Sequence, residues 1–228
     1  MRIPLTKYGW PQVFIFPAIV FAAMAGCIIF GSSYLGLWAV VSIEVILAVV
    51  LVWVLTFFRD PDRRCPMDKN LLLAPADGRI TNTEIVKEES FIGGEALRVG
   101  IFLSIFDVHI NRVPCDVRIE KIHYKQGRYK NAMNPESGRV NEANELYMTR
   151  TDSPEERLIV RQISGAIARR IVCSAKEGQI LSGGEKFGMI KFGSRTELYV
   201  PASANVKCLV GTGDKVRAGV TPLVRYEQ

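Results

Sequence analysis

Two residues near the end of the chain, Gly193 and Ser194, are of the types that could break the peptide bond between them. They interrupt two alternating apolar runs, Phe187–Phe192 and Thr196–Val200, and the interruption is too short and too little turn-like for an ordinary hairpin loop. A forced corner between two strands results. Glycine reaches backbone angles closed to other residues, and a strained peptide ahead of a hydroxyl puts Ser194 Oγ within attacking distance of the Gly193 carbonyl carbon. The same pair also makes a plain bulge or turn in strand-rich sequence, so the chemistry needs partners. The chain has two histidines, His109 and His123. His109 lies in Phe102-Leu-Ser-Ile-Phe-Asp-Val-His-Ile-Asn-Arg-Val-Pro114, where a strand runs out into polar residues. Strand ends and loops are where catalytic groups usually sit, so His109 is the candidate to deprotonate Ser194. His123 alternates with Ile122 and Tyr124 in a plain strand and reads as structural. Asp77, in Pro75-Ala-Asp-Gly78, is the carboxylate that would orient the histidine, although Asp-Gly after Pro is also a turn signature.

The elements that must carry these residues fall into two parts. Of 228 residues, 48% are hydrophobic and 23% charged, and the apolar excess is concentrated at the start, with no charge from Tyr8 to Ile43 nor from Val45 to Phe58. Val13–Phe30 is long enough as a helix, at about 1.5 Å per residue, to approach the ~30 Å hydrocarbon core of a bilayer. Gly31–Gly36 reads as a turn, and Leu35–Phe58 is a second span containing Glu44, a carboxyl that must sit near the headgroups, be protonated or face the partner helix. No small-residue cleavage site ends the first apolar core, which argues against a removable signal peptide. Two spans form a hairpin with both ends on one side. Arg2 and Lys7 precede it and Arg59, Arg63 and Arg64 follow it, while the connecting turn is uncharged, so basic-residue bias puts the following domain, 59–228, in the cytoplasm of a cell membrane. Phe57-Phe-Arg-Asp-Pro-Asp-Arg-Arg64 supplies interface aromatics, a helix-stopping Pro and arginines suited to headgroup phosphates.

Arginine and lysine outnumber aspartate and glutamate by 29 to 23. The basic excess accompanies a membrane segment and lacks basic runs interleaved with aromatics, so anionic lipid, not nucleic acid, is the expected partner. Five cysteines, odd in number and never two residues apart, indicate neither a zinc site nor a disulfide framework.

From Leu71 onward the texture is of short runs bounded by Gly, Pro and Asn. Strands are predicted at Arg79–Val86, Ala96–Leu103, Val117–Tyr124, Leu146–Thr151, Leu158–Ile163, Ile167–Cys173, Phe187–Phe192, Thr196–Val200, Asn205–Val210 and Pro222–Tyr226, with no long amphipathic helix among them. The fold class is therefore mainly β behind a transmembrane helical hairpin. Gln126–Asn144 is the one long polar loop, and loops of that length are usually functional or mobile. Val210–Thr221 looks like the glycine-turned repeats of lipoyl and biotinyl carrier domains, which adds a barrel-sandwich element to the expected fold.

Pro75-Ala-Asp-Gly78, Phe106-Asp-Val-His-Ile-Asn-Arg112, Gly165-Ala-Ile-Ala-Arg-Arg-Ile171 and Phe187-Gly-Met-Ile-Lys-Phe-Gly-Ser194 follow in this order behind a hairpin ending Phe-Phe-Arg-Asp-Pro. This series resembles the phosphatidylserine decarboxylase family in its short, membrane-anchored form, over almost the whole chain. The resemblance implies a self-cleaving proenzyme. Ser194 Oγ would attack the Gly193 carbonyl to give an ester, and elimination and loss of ammonia would leave a pyruvoyl group at position 194. That covalent group is the only cofactor implied, with no metal and no pyridoxal phosphate. It would condense with the serine amine of the lipid and take up the electrons released as CO₂ leaves. The pieces 1–193 and 194–228 would stay associated, since the cut falls between neighbouring strands of one expected sheet; self-association into a homo-oligomer is left open. Longer members carry a second histidine three residues after the first, where this chain has Arg112, so His109 would serve maturation, decarboxylation or both. Arg169 and Arg170, with Arg112, are candidates to hold the lipid phosphate.

Two other readings compete. A serine phospholipid with an ether backbone, of the archaetidylserine kind, needs the same headgroup chemistry. A membrane-tethered carrier or adaptor of lipoyl type would use Lys191 as its attachment point.

Overall fold

The structure, a computed structural model, describes residues 4–134, 136–166, 170–191 and 193–227. The chain divides into two compact units, Met1–Pro61 and Asp62–Gln228. In the first, a helix spans Gln12–Gly26, continues through a π-helical turn at Cys27–Gly31 and ends at Tyr34; a second runs Leu37–Phe57. At 23 and 21 residues they measure about 35 and about 31 Å, enough to cross a bilayer. Their outward faces carry Phe14, Ile19, Trp38, Val45 and Val52, all exposed, as lipid-facing helices require. Glu44 lies against Cys27 of the first helix, the partner-facing placement that its carboxyl calls for. The hairpin closes at its base, where Phe58 O accepts from Thr6 N–H at 2.9 Å and Pro4 O from Asp60 N–H at 2.7 Å. Both ends of the pair therefore lie together.

The second unit is built of strands, numbered here in chain order: β1 (Leu71–Leu73), β2 (Gly78–Glu88), β3 (Gly94–Leu103), β4 (Ile110–Arg112), β5 (Val117–Lys125), β6 (Ala143–Arg150), β7 (Arg157–Ile163), β8 (Ile171–Cys173), β9 (Ile180–Leu181), β10 (Lys186–Ile190), β11 (Ser194–Pro201), β12 (Val206–Cys208), β13 (Lys215–Val216) and β14 (Pro222–Tyr226). Eight of them form one sheet in the order β13-β2-β3-β11-β7-β6-β5-β9, and two three-stranded sheets, β4-β10-β8 and β1-β14-β12, accompany it. Val216 and Ile80 from one edge of the large sheet share a single core cluster with Val117, Ile119 and Leu181 from the other edge. A flat sheet could not bring its two edges to one cluster, so this sheet curls around the core.

β10 and β11 do not continue one another within a sheet. β10 pairs with β4 and β8, whereas β11 runs antiparallel between β3 and β7. This corrects the expectation of neighbouring strands in one sheet: the chain belongs to one sheet up to Ile190 and to another from Ser194. The long segment after β5 is not structureless either, since it contains a one-turn helix at Ser137–Val140, and β6 starts at Ala143, ahead of its expected start. The predicted strand Ile167–Cys173 begins on residues outside those described and is observed from Ile171.

Candidate active site

The sheet change creates the site. Gly193 has φ +61, a left-handed conformation open to glycine at little cost, and Ser194 opens β11 opposite Leu103 of β3. From Leu103 the other strand also leaves the large sheet. A turn over Ser104–Asp107, closed by Asp107 N–H to Ser104 O at 2.8 Å and by Ser104 N–H to Asp107 Oδ2 at 2.9 Å, delivers His109 to the start of β4. There β4 pairs with β10, Ile110 opposite Met189, and the His109 carbonyl accepts from Ile190 N–H at 3.4 Å.

This pairing sets the imidazole beside the peptide in question. Gly193 N–H donates to His109 Nε2 at 3.2 Å, and His109 Nδ1 lies 2.9 Å from the Asp107 carbonyl oxygen. A carbonyl can only accept, so Nδ1 carries the proton; an amide N–H can only donate, so Nε2 carries the lone pair. His109, fully buried, is thus held as a neutral imidazole with its basic nitrogen one residue from Ser194. Ser194 is also fully buried, and among the described residues its Oγ has no hydrogen-bond partner. An unsatisfied buried hydroxyl costs about 1–3 kcal/mol, and this one belongs to the residue that directly follows the Gly193 carbonyl. Gly165 packs against that carbonyl so closely that a Cβ there would overlap its oxygen.

Asp77 is arranged differently from the expectation that it orients His109. Its Oδ2 pairs with Arg63 Nη2 at 2.8 Å and its Oδ1 accepts from Ala218 N–H at 2.8 Å, while the group on His109 Nδ1 is a backbone carbonyl. Burial raises the Asp77 pKa despite the opposing Arg63 charge and the Ala218 hydrogen bond, and the Asp107 carboxylate adds to the rise. Arg112 is buried, with Nη1 2.9 Å from the Gly184 carbonyl. This is an interior position, not one that an arriving lipid phosphate would meet. Arg169 lies outside the described residues. Arg170 is exposed, and its carbonyl accepts from Lys191 N–H at 3.2 Å. Lys191 itself is 3% exposed, and burial, then the Arg170 charge, lowers its pKa; a buried lysine does not suit a carrier attachment point. His123 is exposed and 3.4 Å from Glu145 Oε2.

Two sets of residues escaped the sequence reading. Asn111, fully buried, donates through Nδ2 to Thr196 Oγ1 at 3.1 Å and to Pro75 O at 3.3 Å, and accepts from Gln162 Nε2 at 2.9 Å; Gln162 in turn accepts from Asn144 at 3.0 Å. One amide so ties together the strand after His109, the strand of Ser194 and the loop before Asp77. The signal was a lone polar residue at an alternating position two beyond His109. Asn141, also fully buried, accepts from Lys130 N–H at 2.9 Å and donates to Lys130 O and Ser164 O, each at 2.7 Å. It straps the 126–142 segment beside Gly165. Between these elements lies a cavity of about 210 Å³, lined by Ser104, Ile105, Asn131, Ala132, Ala166 and Gly193 among others. A larger hollow of about 420 Å³ beside Cys65, Lys69 and Cys115 includes none of these groups; the smaller one is the cavity that reaches Gly193.

Comparison with known proteins gives the arrangement its context. The family profile described as phosphatidylserine decarboxylase matches residues 50–223. A protein named phosphatidylserine decarboxylase proenzyme from Symbiobacterium thermophilum is 38% identical over 229 residues, covering 100% of this chain and 99% of its own. Proteins of the same name from Rhodopirellula baltica and Pelodictyon phaeoclathratiforme are 36% and 38% identical, covering 99% and 97% of this chain and 90% and 99% of their own.

Proposed function

Because this chain belongs to the phosphatidylserine decarboxylase family, and so converts phosphatidylserine to phosphatidylethanolamine as a lyase, we propose that it arms itself by cutting its own backbone between Gly193 and Ser194. The observation that carries this reading is the coincidence at one peptide bond of a left-handed glycine, a buried serine hydroxyl with no partner among the described residues, and a neutral histidine whose Nε2 meets the Gly193 N–H. The Ser194 Oγ–H bond breaks as Oγ adds to the Gly193 carbonyl carbon, and the amide nitrogen leaves as an amine, which gives an ester. A base then removes the Ser194 Cα proton, the Cβ–Oγ bond breaks, and residue 193 departs as a carboxylate. Water replaces the nitrogen of the resulting enamine, releasing ammonia and leaving a ketone at position 194. His109, whose Nε2 meets the neighbouring Gly193 N–H, is the group assigned to accept these protons.

The site fits a ketone there: position 194 is buried and paired with Leu103 of β3, the next residue is paired on both sides, and the cavity reaches Gly193. A pyruvoyl group supplies an electron sink for the loss of CO₂. The chain's own residues do the rest. β3 and β7 hold the small piece, 194–228, against the large one after the cut; His109 exchanges the proton; Arg170, with Arg169, neutralises the lipid phosphate. Asp77 acts through the Arg63 pair and the Ala218 amide. The hairpin keeps the enzyme in the membrane, and the lysine and arginines flanking it orient the β unit toward the cytoplasm. Val210–Thr221 supplies a barrel-sandwich corner with turns at Gly213 and Gly219.

Intact mass spectrometry of the purified chain tests the proposal. The small fragment should be lighter by one ammonia than one starting with serine, blocked to Edman degradation and reactive toward borohydride, and Ser194→Ala should remain one uncut chain. A small fragment that starts with free serine would show simple proteolysis and sink the mechanism.

A further inference from the structure

Phosphatidylserine keeps its acyl chains in the bilayer while its headgroup reacts, so the mouth of the cavity must come to headgroup depth. Two wall segments of the cavity end in exposed apolar side chains. Ile105 lines it, and the next residue, Phe106, is 69% exposed; Ala132 lines it, and the next residue, Met133, is 63% exposed. Tyr129, on the same segment as Met133, is 43% exposed. Large apolar groups clustered at one functional opening of a soluble surface mark a site of contact. The polar residues among them show what the contact is. Between 125 and 142 the chain carries Lys125, Arg128, Lys130 and Arg139 against Glu136 and Glu142, and Glu142 is turned inward, buried and bonded to Tyr124. A rim of Phe, Tyr and Met with an excess of Lys and Arg combines side chains that settle at the bilayer interface with cations drawn to anionic headgroups.

We propose that the Phe106 tip and the Tyr129–Met133 tip are a membrane-docking rim, which enters the headgroup layer of an anionic bilayer and sets the cavity mouth over a lipid. This rests on the reading that the cavity at Gly193 is the catalytic one. The strap made by Asn141 has a function in it: with Lys130 held at both its N–H and its carbonyl, the base of the tip is anchored. The rim acts in addition to the hairpin. A tether supplies a high local concentration of lipid, whereas the rim decides where the headgroup lands.

The test uses the full chain reconstituted in anionic lipid vesicles, with the water-soluble substrate added from solution below its micelle concentration. The double variant Phe106→Ser, Met133→Ser should lose at least 10-fold in turnover of long-chain phosphatidylserine in vesicles, yet stay within 2-fold of wild type on a water-soluble dihexanoyl phosphatidylserine. Equal loss on both substrates, or loss on neither, overturns the rim. The small fragment's mass is read in the same samples, so that a failure of self-cleavage, which would count against the pyruvoyl reading, is seen separately. Should the double variant remain uncut, photocrosslinking decides. p-Benzoylphenylalanine at 106 or 133 should form lipid adducts in anionic vesicles, and the same group at Ile180, 67% exposed on an edge strand of the large sheet, should not. Adducts to protein instead of lipid, or the same lipid yield at 180, refute the docking.

Discussion

Gly165→Ala asks whether the scissile carbonyl is held by the backbone packed against it. A Cβ at 165 would overlap the Gly193 oxygen, lie 3.1 Å from the Gly193 carbon and lie 3.4 Å from Ala132 Cβ. Relaxed carbon contacts sit at about 3.5–4.0 Å, so residue 165 or the 193–194 peptide must shift by something on the order of 1 Å. Ala132 blocks part of the retreat on the 165 side. The peptide side is tied by the Gly193 N–H bond to His109 and by the register of Ser194 on Leu103, so any shift it makes to relieve the overlap alters the geometry of the reacting atoms against His109. A misplacement of about 1 Å costs on the order of 10²-fold in a step that needs a near-attack geometry, or roughly 2.7 kcal/mol of barrier. Overpacking costs the fold about 1–3 kcal/mol, which lowers the unfolding temperature without abolishing the fold. The assay is a time course of uncut and cut chain on denaturing gels after synthesis in vitro, with near-ultraviolet circular dichroism to confirm folding. A folded Gly165→Ala chain that matures at the wild-type rate would refute the idea that this contact sets the carbonyl.

His109→Ala should slow maturation by about 10²-fold or more, the usual contribution of a positioned acid–base group, while His123→Ala, which loses only an exposed 3.4 Å contact with Glu145, should leave both maturation and turnover within 2-fold by the ~0–1 kcal/mol worth of such pairs. Asp77 has a raised pKa in the folded state, so the fold binds its proton more tightly than the unfolded chain does; the stability this contributes is complete below the ordinary carboxylate range and is lost as pH rises through the raised value. Asp77→Asn should flatten that part of the denaturant-midpoint profile against pH, and an unchanged slope would place the titration elsewhere. Thr196→Val keeps shape but removes the oxygen that Asn111 binds, and should slow self-cleavage, whereas Thr196→Ser keeps that oxygen and should restore the rate; equal rates would exclude Asn111 as a positioning residue. Removing residues before Arg59 should leave self-cleavage intact and release the β unit from membranes of uncharged lipid, read by sedimentation.

The hairpin and most strands were legible because their signals are local. Uncharged runs report bilayer spans, and alternation reports strands wherever one face meets the core. The strands that were missed, β1, β4, β9 and β13, are two or three residues long, too short for any period to register. β11 was legible as a strand but not in its surroundings. Arg195 and Glu197 are buried, paired with each other at 2.8 Å, and Tyr199 donates to Glu197 at 2.7 Å. A covered charge pair and a surface one are spelled alike. Sheet membership was out of reach because pairing is decided by which distant strand offers its edge; nothing within Lys186–Pro201 says that its two halves take different neighbours.

That difference of neighbours bears directly on the chemistry. Two strands joined by a tight turn within one sheet would share their register, and cutting the turn would release little strain. Here the chain is in the β4-β10-β8 sheet up to Ile190 and in the large sheet, beside β3, from Ser194, and β3 makes the reciprocal departure at Ser104 to deliver His109. The peptide that changes sheets and the imidazole that meets it are positioned by the same pair of departures. A cut at Gly193 frees β10 from β11 while leaving each strand bonded on both sides in its own sheet. The new end at 194 can therefore settle over the cavity with the rest of β11 unmoved, and a substrate-sized opening can be made at the reacting residue without unfolding the core that holds it.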